Sequence, residues 1–149
     1  MALNDRHGID NQHDLQHKGS AMGKTFIVVA VIVAAAAESA SAQDAQKGAT
    51  VFNNCLPCHS IGPGAQNKVG PELNGLDGRH SGIVPNFDYS DANKKSGIVW
   101  NEETFKKYIQ NPQGVVPGTK MIFPGIKNEQ QVNDLWAYVS QFNADGTKK

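Results

Sequence analysis

Two cysteines stand three residues apart and a histidine follows the second: Cys55-Leu56-Pro57-Cys58-His59. No other cysteine occurs in the 149 residues. A C-x-x-C-H run is the attachment signature of c-type haem. The spacing has a chemical reason. Each thiol can add to one of two vinyl groups on neighbouring edges of a porphyrin, giving two thioethers. The imidazole directly after Cys58 can then turn its Nε2 onto the iron. A rigid, flat group held at three points constrains the surrounding fold more than any other feature of the chain.

Other uses of the two thiols fit less well. A disulfide between Cys55 and Cys58 would close a very small loop and add little stability. A thioredoxin-like redox site needs a βαβ context, which the sequence lacks. A structural zinc site needs a fourth ligand beyond Cys55, Cys58 and His59, usually from a second nearby pair, and no such pair is present.

The first forty-odd residues differ from the rest. Residues 25–37, TFIVVAVIVAAAA, are apolar, Lys18 and Lys24 precede them, and Ala40-Ser41-Ala42 follows as a small-x-small site. This is the three-part pattern of a secretory signal peptide. Thirteen apolar residues are short for a membrane-spanning helix, although an uncleaved anchor is the alternative. Residues 1–21 are polar and carry His7, His13 and His17. A His-rich tract can bind metal, but Met22-Gly23-Lys24 makes an ordinary start for the signal. We therefore expect residues 1–42 to be extension plus signal, with cleavage after Ala42. Residues 43–149 form the domain, in an exported, periplasmic protein.

Those residues hold eleven Lys and Arg against ten Asp and Glu, a net charge of +1. That balance supplies no basic field for nucleic acid or a membrane surface. A domain of this size has a small core, so a large buried group would contribute much of its apolar interior.

The pattern predicts short helices. The first spans 44–54, with Asp44 as N-cap and Ala45, Gly48, Ala49 and Phe52 on one face. Gly48 on that face implies a close helix crossing. From Ser60 to Pro85, Gly and Pro recur too densely for long elements, and a stretch of that length without structure calls for a reason. Wrapping a rigid cofactor is one. A short helix is expected over 91–96, stopped by Gly97. Asn101 should cap a third helix bearing Phe105, Tyr108 and Ile109, interrupted by Pro112, with a further turn to Val116. The last helix should run from Glu129 to Phe142, with Val132, Leu135, Trp136, Val139 and Phe142 as its apolar stripe. Asn128 with Gln131 resembles a capping box. Sustained alternation is absent, so the fold class is all-α.

A haem iron held by His59 has a second axial position. The domain offers His80, in a polar Gly-rich loop that reads as surface, and Met121. Met121 sits in Pro117-Gly118-Thr119-Lys120-Met121, off any helical stripe, so core filling explains it poorly. A soft thioether favours Fe(II), and His/Met ligation raises the reduction potential.

Further runs occur in a telling order: Gly70-Pro71-x-Leu73, Gly75-Leu76-x-Gly78-Arg79, Phe87-x-Tyr89-x-Asp91-Ala92-Asn93-Lys94, Gly97-Ile98-x-Trp100, the Met121 loop, and Ile122-Phe123-x-Gly125-Ile126-Lys127. With Cys55 to His59 they make residues 44–143 resemble the small soluble class I cytochromes c, mitochondrial and bacterial. The resemblance implies one haem c, bound through Cys55 and Cys58, with His59 and Met121 as iron ligands. It implies that Pro71 accepts the His59 Nδ1 proton, and that Arg79, Tyr89 and Trp100 surround a buried propionate. It further implies that Asn93, Tyr108 and Thr119 cluster near the Met sulfur, and that Gly48, Phe52, Leu135 and Tyr138 join the first and last helices. Lys68, Lys120 and Lys127 match the family's docking ring around the haem edge, whereas Ala49, Asn54, Gln113 and Asn128 leave other ring positions neutral.

The implied function is one-electron shuttling by a monomer between membrane redox complexes, such as a bc-type complex and a terminal oxidase or photosynthetic centre. Such a carrier is not an enzyme and has no catalytic residues. A haem peroxidase or gas sensor would need the Met121 position open. A membrane-tethered electron-transfer domain would need residues 25–37 retained.

Overall fold

A computed structural model describes residues 42–149. The extension and signal expected over 1–42 lie outside these residues, save for Ala42. Five helices follow in order: α1 (Ala45–Phe52), α2 (Asp91–Lys95), α3 (Glu102–Gln110), α4 (Pro112–Val115) and α5 (Glu129–Val139). Among the described residues the only β pairing is two isolated bridges, His80 with Val99 and Phe142 with Lys148. The fold is all-α, as the sequence predicts.

Each helix begins where a side chain can satisfy its free amides. Asp44 accepts from Gln46 N at 2.9 Å and Lys47 N at 3.1 Å, so two orphan donors of α1 are met. Ser90 caps α2 and Asn128 caps α5. The reciprocal capping box lies on α3. Asn101 Oδ1 accepts from Thr104 N and Thr104 Oγ1 accepts from Asn101 N, both at 2.9 Å. At α5 the expected box is only half made: Asn128 Oδ1 takes Gln131 N at 3.0 Å.

Helices α1 and α5 pack directly on one another. Gly48 permits it, since a Cβ there would stand against the Asp134 backbone and 2.7 Å from Tyr138 Cβ. Phe52 and Tyr138 meet across the same contact with ring centroids 5.3 Å apart. Asp134, itself buried, accepts Asp44 N at 2.9 Å, so a carboxylate from α5 supports the start of α1. The core continues through Val132, Leu135, Trp136 and Val139 of α5 and Phe105, Tyr108 and Ile109 of α3.

Two helix ends fall short of expectation. Helix α1 stops at Phe52, and residues 53–58 continue as turns. Helix α5 stops at Val139, although the apolar stripe runs on to Phe142. Phe142 is buried by a different route. The chain reverses there, with Asn143 N donating to Thr147 O at 2.8 Å and Lys149 N to Gln141 O at 2.7 Å. Gly146, at φ +84°, makes this reversal and lies against the Gly62 backbone, a conformation and a proximity that a side chain would oppose.

Candidate haem site

The turn after α1 delivers the thiols. Cys55 N donates to Phe52 O at 2.8 Å, Cys58 N to Cys55 O at 3.0 Å, and His59 N to Cys55 O at 2.8 Å. Both cysteines are free thiols, Cys58 exposed and Cys55 half-buried. Burial, and then the neighbouring Cys58, push the Cys55 thiol up to about 11. No group of three or more His, Cys, Asp or Glu side chains placed to hold a metal ion occurs among the described residues.

His59 is held on two sides. Its Nδ1 lies 2.7 Å from Pro71 O, which makes Nδ1 the donor and leaves the lone pair on Nε2. Gly70 lies flat against the ring: a Cβ there would fall 2.7 Å from Nδ1. Gly70 N in turn donates to Cys58 O at 2.7 Å. Burial holds the imidazole below its ordinary value and so favours the neutral form, while the Pro71 contact opposes that shift.

Thiols and imidazole open onto an apolar cavity of about 260 Å³. Met121 faces it from the loop before α5, and Leu73, Leu76, Leu135 and Val139 give it greasy walls. Of the residues implied by resemblance, Pro71, Tyr89, Asn93, Trp100, Tyr108 and Thr119 all line it. Trp100 and Tyr108 meet edge-on, centroids 5.0 Å apart. Tyr108 Oη lies 3.1 Å from Thr119 Oγ1, which accepts Met121 N at 3.2 Å. Asn93 does not bond to that pair; its Oδ1 accepts from Ser90 Oγ at 2.8 Å.

Arg79 is placed differently from the rest. It is not in the cavity wall. Its guanidinium donates to Glu72 Oε1 and Asn74 O at 2.8 Å and to Glu72 O at 3.0 Å. Its charge still reaches the cavity, where it favours the uncharged form of the His59 ring and opposes the burial that raises the Tyr89 hydroxyl.

Three polar residues of the site carry no signal in the sequence. Asn74 closes the loop after His59, with Oδ1 taking Gly62 N at 2.7 Å and Nδ2 giving to Gly62 O at 3.1 Å. Ser81 and Ser90 line the cavity. Ser81 Oγ is buried with no hydrogen-bond partner among the described residues. It sits where residues 78–81 pair with 98–100, through Ser81 N to Ile98 O at 2.8 Å and Trp100 N to Arg79 O at 2.9 Å. An isolated serine in a Gly-rich loop carries no periodic signal, so nothing in the sequence marked it.

The donor set fits a haem. Two thiols, a neutral imidazole with Nε2 free and a thioether share the cavity, and the unpaired Ser81 hydroxyl and the Trp100 indole both line it. A buried carboxylate such as a propionate requires donors of this kind. The combination of short helices, closed loops and a C-x-x-C-H turn opening on an apolar cavity defines a protein with covalently attached haem.

Comparison with known proteins agrees. The family model described as Cytochrome c matches residues 45–143. Cytochrome c2 of Blastochloris viridis is 64% identical over 118 residues, covering 79% of this chain and 93% of that protein. Cytochrome c-550 of Bradyrhizobium diazoefficiens is 63% identical over 105 residues, covering 70% and 77%. Among solved structures, cytochrome cH from Methylobacterium extorquens has a TM-score of 0.61 at 40% identity, covering 64% of this chain and 96% of that one. The chain belongs to the cytochrome c family and carries one haem c on Cys55 and Cys58.

Proposed function

We propose that this cytochrome is an exported one-electron carrier, in which His59 and Met121 would hold the haem iron. The observation that carries the reading is the sharing of one apolar cavity by the His59 imidazole, its Nδ1 committed to Pro71, and the Met121 thioether. Haem c supplies a one-electron Fe(III)/Fe(II) couple, and the protein's part is binding, orientation and exclusion of water. Pro71 holds the imidazole tautomer. Thr119 and Tyr108 hold the Met121 loop. The aliphatic walls keep the cavity dry. With His59 and Met121 both on the iron, no position would stay open to a peroxide or a gas, so the role is electron transfer and not catalysis.

The mouth of the cavity supports a docking role. Ile122 is 97% exposed and Val69 80% exposed, and both line the cavity edge. Lys68, Lys120 and Lys127 are exposed, and Lys120 lies in the cavity lining. Lys68 donates to Leu56 O at 2.9 Å, Lys127 to Gln110 O, and Lys120 to Asp88 Oδ2 at 2.6 Å. Lys106 and Lys107 pair instead with Glu102 and Glu103 along α3. The proposed partner surface is therefore an apolar centre with a sparse acidic rim, on membrane redox complexes such as a bc-type complex and an oxidase or photosynthetic centre. Because Asp88 offsets Lys120, ionic strength should slow association only modestly.

Export rests on the signal pattern in the sequence. Asp44 caps α1 two residues after the small-x-small site, and cleavage after Ala42 would remove one described contact, Gln130 Nε2 to Ala42 O at 3.2 Å. No helix among the described residues is long and apolar enough to cross a membrane.

Stopped-flow oxidation of the reduced protein by membranes of the source cells tests the function. Lys120→Glu and Lys127→Glu should slow the reaction, as should added salt. A rate indifferent to all three would refute electrostatic docking. Sequencing of the exported protein should find Gln43 first; a retained residue 25–37 segment would instead make it a tethered domain.

A further inference from the structure

Arg79 and Glu72 form an ion pair behind the wall that carries His59. Both side chains are largely enclosed, at 13% and 20% exposure, with Nη1 2.8 Å from Oε1. The pair is braced at every edge. Glu72 Oε2 takes Asn74 N at 2.6 Å, and Asn67 Oδ1 takes Glu72 N at 3.0 Å. Arg79 also donates to the carbonyls of Asn74 and Glu72. Glu72 directly follows Pro71, the residue bonded to His59. The carboxylate is thus fixed in position rather than free to wander in solvent.

We infer that Glu72 is a positioning residue for electron transfer, which sets the reduction potential by holding and neutralising Arg79. This rests on the proposed reading of the cavity as the site of a His59-ligated haem. The argument is one of charge. Reduction adds one negative charge to the cavity. A nearby fixed cation favours that change and a nearby fixed anion opposes it, the more so where water is excluded. The pair is tied to the cavity wall at both ends: Arg79 O accepts Trp100 N at 2.9 Å, and Glu72 adjoins Pro71, with Trp100 and Pro71 both lining the cavity. At Tyr89, also in that wall, Arg79 and Glu72 act with opposite signs. The second effect of Glu72 is geometric: with the carbonyls of Asn74 and Glu72, its carboxylate fixes the guanidinium outside the cavity wall. Pairing with this anion lowers the potential relative to an unpaired arginine. The step itself remains a simple electron gain or loss, with no bond made or broken by either side chain.

The test is a potentiometric titration of the haem-loaded protein and three variants, with the ferric Met-to-iron charge-transfer band recorded in each. Glu72→Gln keeps a side-chain acceptor for Asn74 N and removes the charge. It should raise the potential, shifting the equilibrium with a fixed redox couple several-fold toward the reduced protein. Arg79→Gln should lower it. The double variant should return close to the parent, because the two removed charges cancel. An unmoved or lowered potential in Glu72→Gln, with the band intact, overturns the inference and leaves the ligation reading standing. Absence of the band in the parent protein overturns the ligation reading instead. If Glu72→Gln disturbs the Met121 side, Arg79→Gln decides alone: a potential that fails to fall refutes the role.

Discussion

The two walls of the cavity are built from different materials. On the His59 side, the imidazole is fixed by main chain: the Pro71 carbonyl, the Gly70 backbone against the ring face, and a helical turn from Cys55 to His59. On the Met121 side, side chains do the holding. Thr119, Tyr108 and Gln113 bond the loop from within, and Lys120 reaches across to Asp88. Ile122, next to Met121, is almost wholly exposed. Main-chain geometry belongs to the fold and opens only with it. Side-chain hydrogen bonds can open one at a time, so local opening should start on the Met121 side.

That contrast is easiest to break at Gly70. A Gly70→Ala methyl would occupy space held by the His59 ring, and overpacking of this kind costs roughly 1–3 kcal/mol. Thermal unfolding of the haem-loaded protein should show this loss, the largest of the set, together with a disturbed His59 environment. A near-native melting temperature would mean the proximal wall yields more readily than its geometry suggests.

Tyr108→Phe sharpens the other side. It removes one buried hydrogen bond to Thr119, worth about 1 kcal/mol. Helix α3 should stay folded, while added imidazole or cyanide should displace the methionine faster. Equal rates in parent and variant would show that the Tyr108–Thr119 bond does not restrain the loop.

The smallest expected change lies at the surface clasp. Lys120 holds the Asp88 carboxyl below the ordinary carboxylate range through their hydrogen bond and charge. A depressed folded value means the pair is intact above the unfolded value and is lost as pH falls below about 4. Both groups are exposed, so stability should barely respond. Docking should respond more: Asp88→Asn frees the Lys120 charge and should speed association a few-fold at low salt.

The same contrast explains what could be read from sequence. Gly48 announced a close helix crossing because a glycine on an apolar helical face has few other reasons to be there, and Asp134 and Tyr138 occupy the space. The caps at Asp44 and Asn101 were equally legible, being local chemistry. Thr104, which completes the α3 box, was not, because threonine is also an ordinary helix-surface residue. The spacing of Phe142 continues the α5 stripe, yet the turn at 143–147 buries it without helix. Arg79 with Glu72, and Ser81, lie in Gly- and Pro-rich loops. There the chain has no period, and which side chains meet depends on tertiary closure through Asn74. Family resemblance named Arg79, but only the folded loop gave it Glu72 as a partner.

The central claim is that one cavity presents His59 and Met121 to the same haem iron. The most direct test is the absorption spectrum of the ferric protein near neutral pH. The account predicts a Met-to-iron charge-transfer band in the parent that is abolished in Met121→Ala, with the haem still covalently attached in both. A parent spectrum without that band, or a band that survives Met121→Ala, would contradict it.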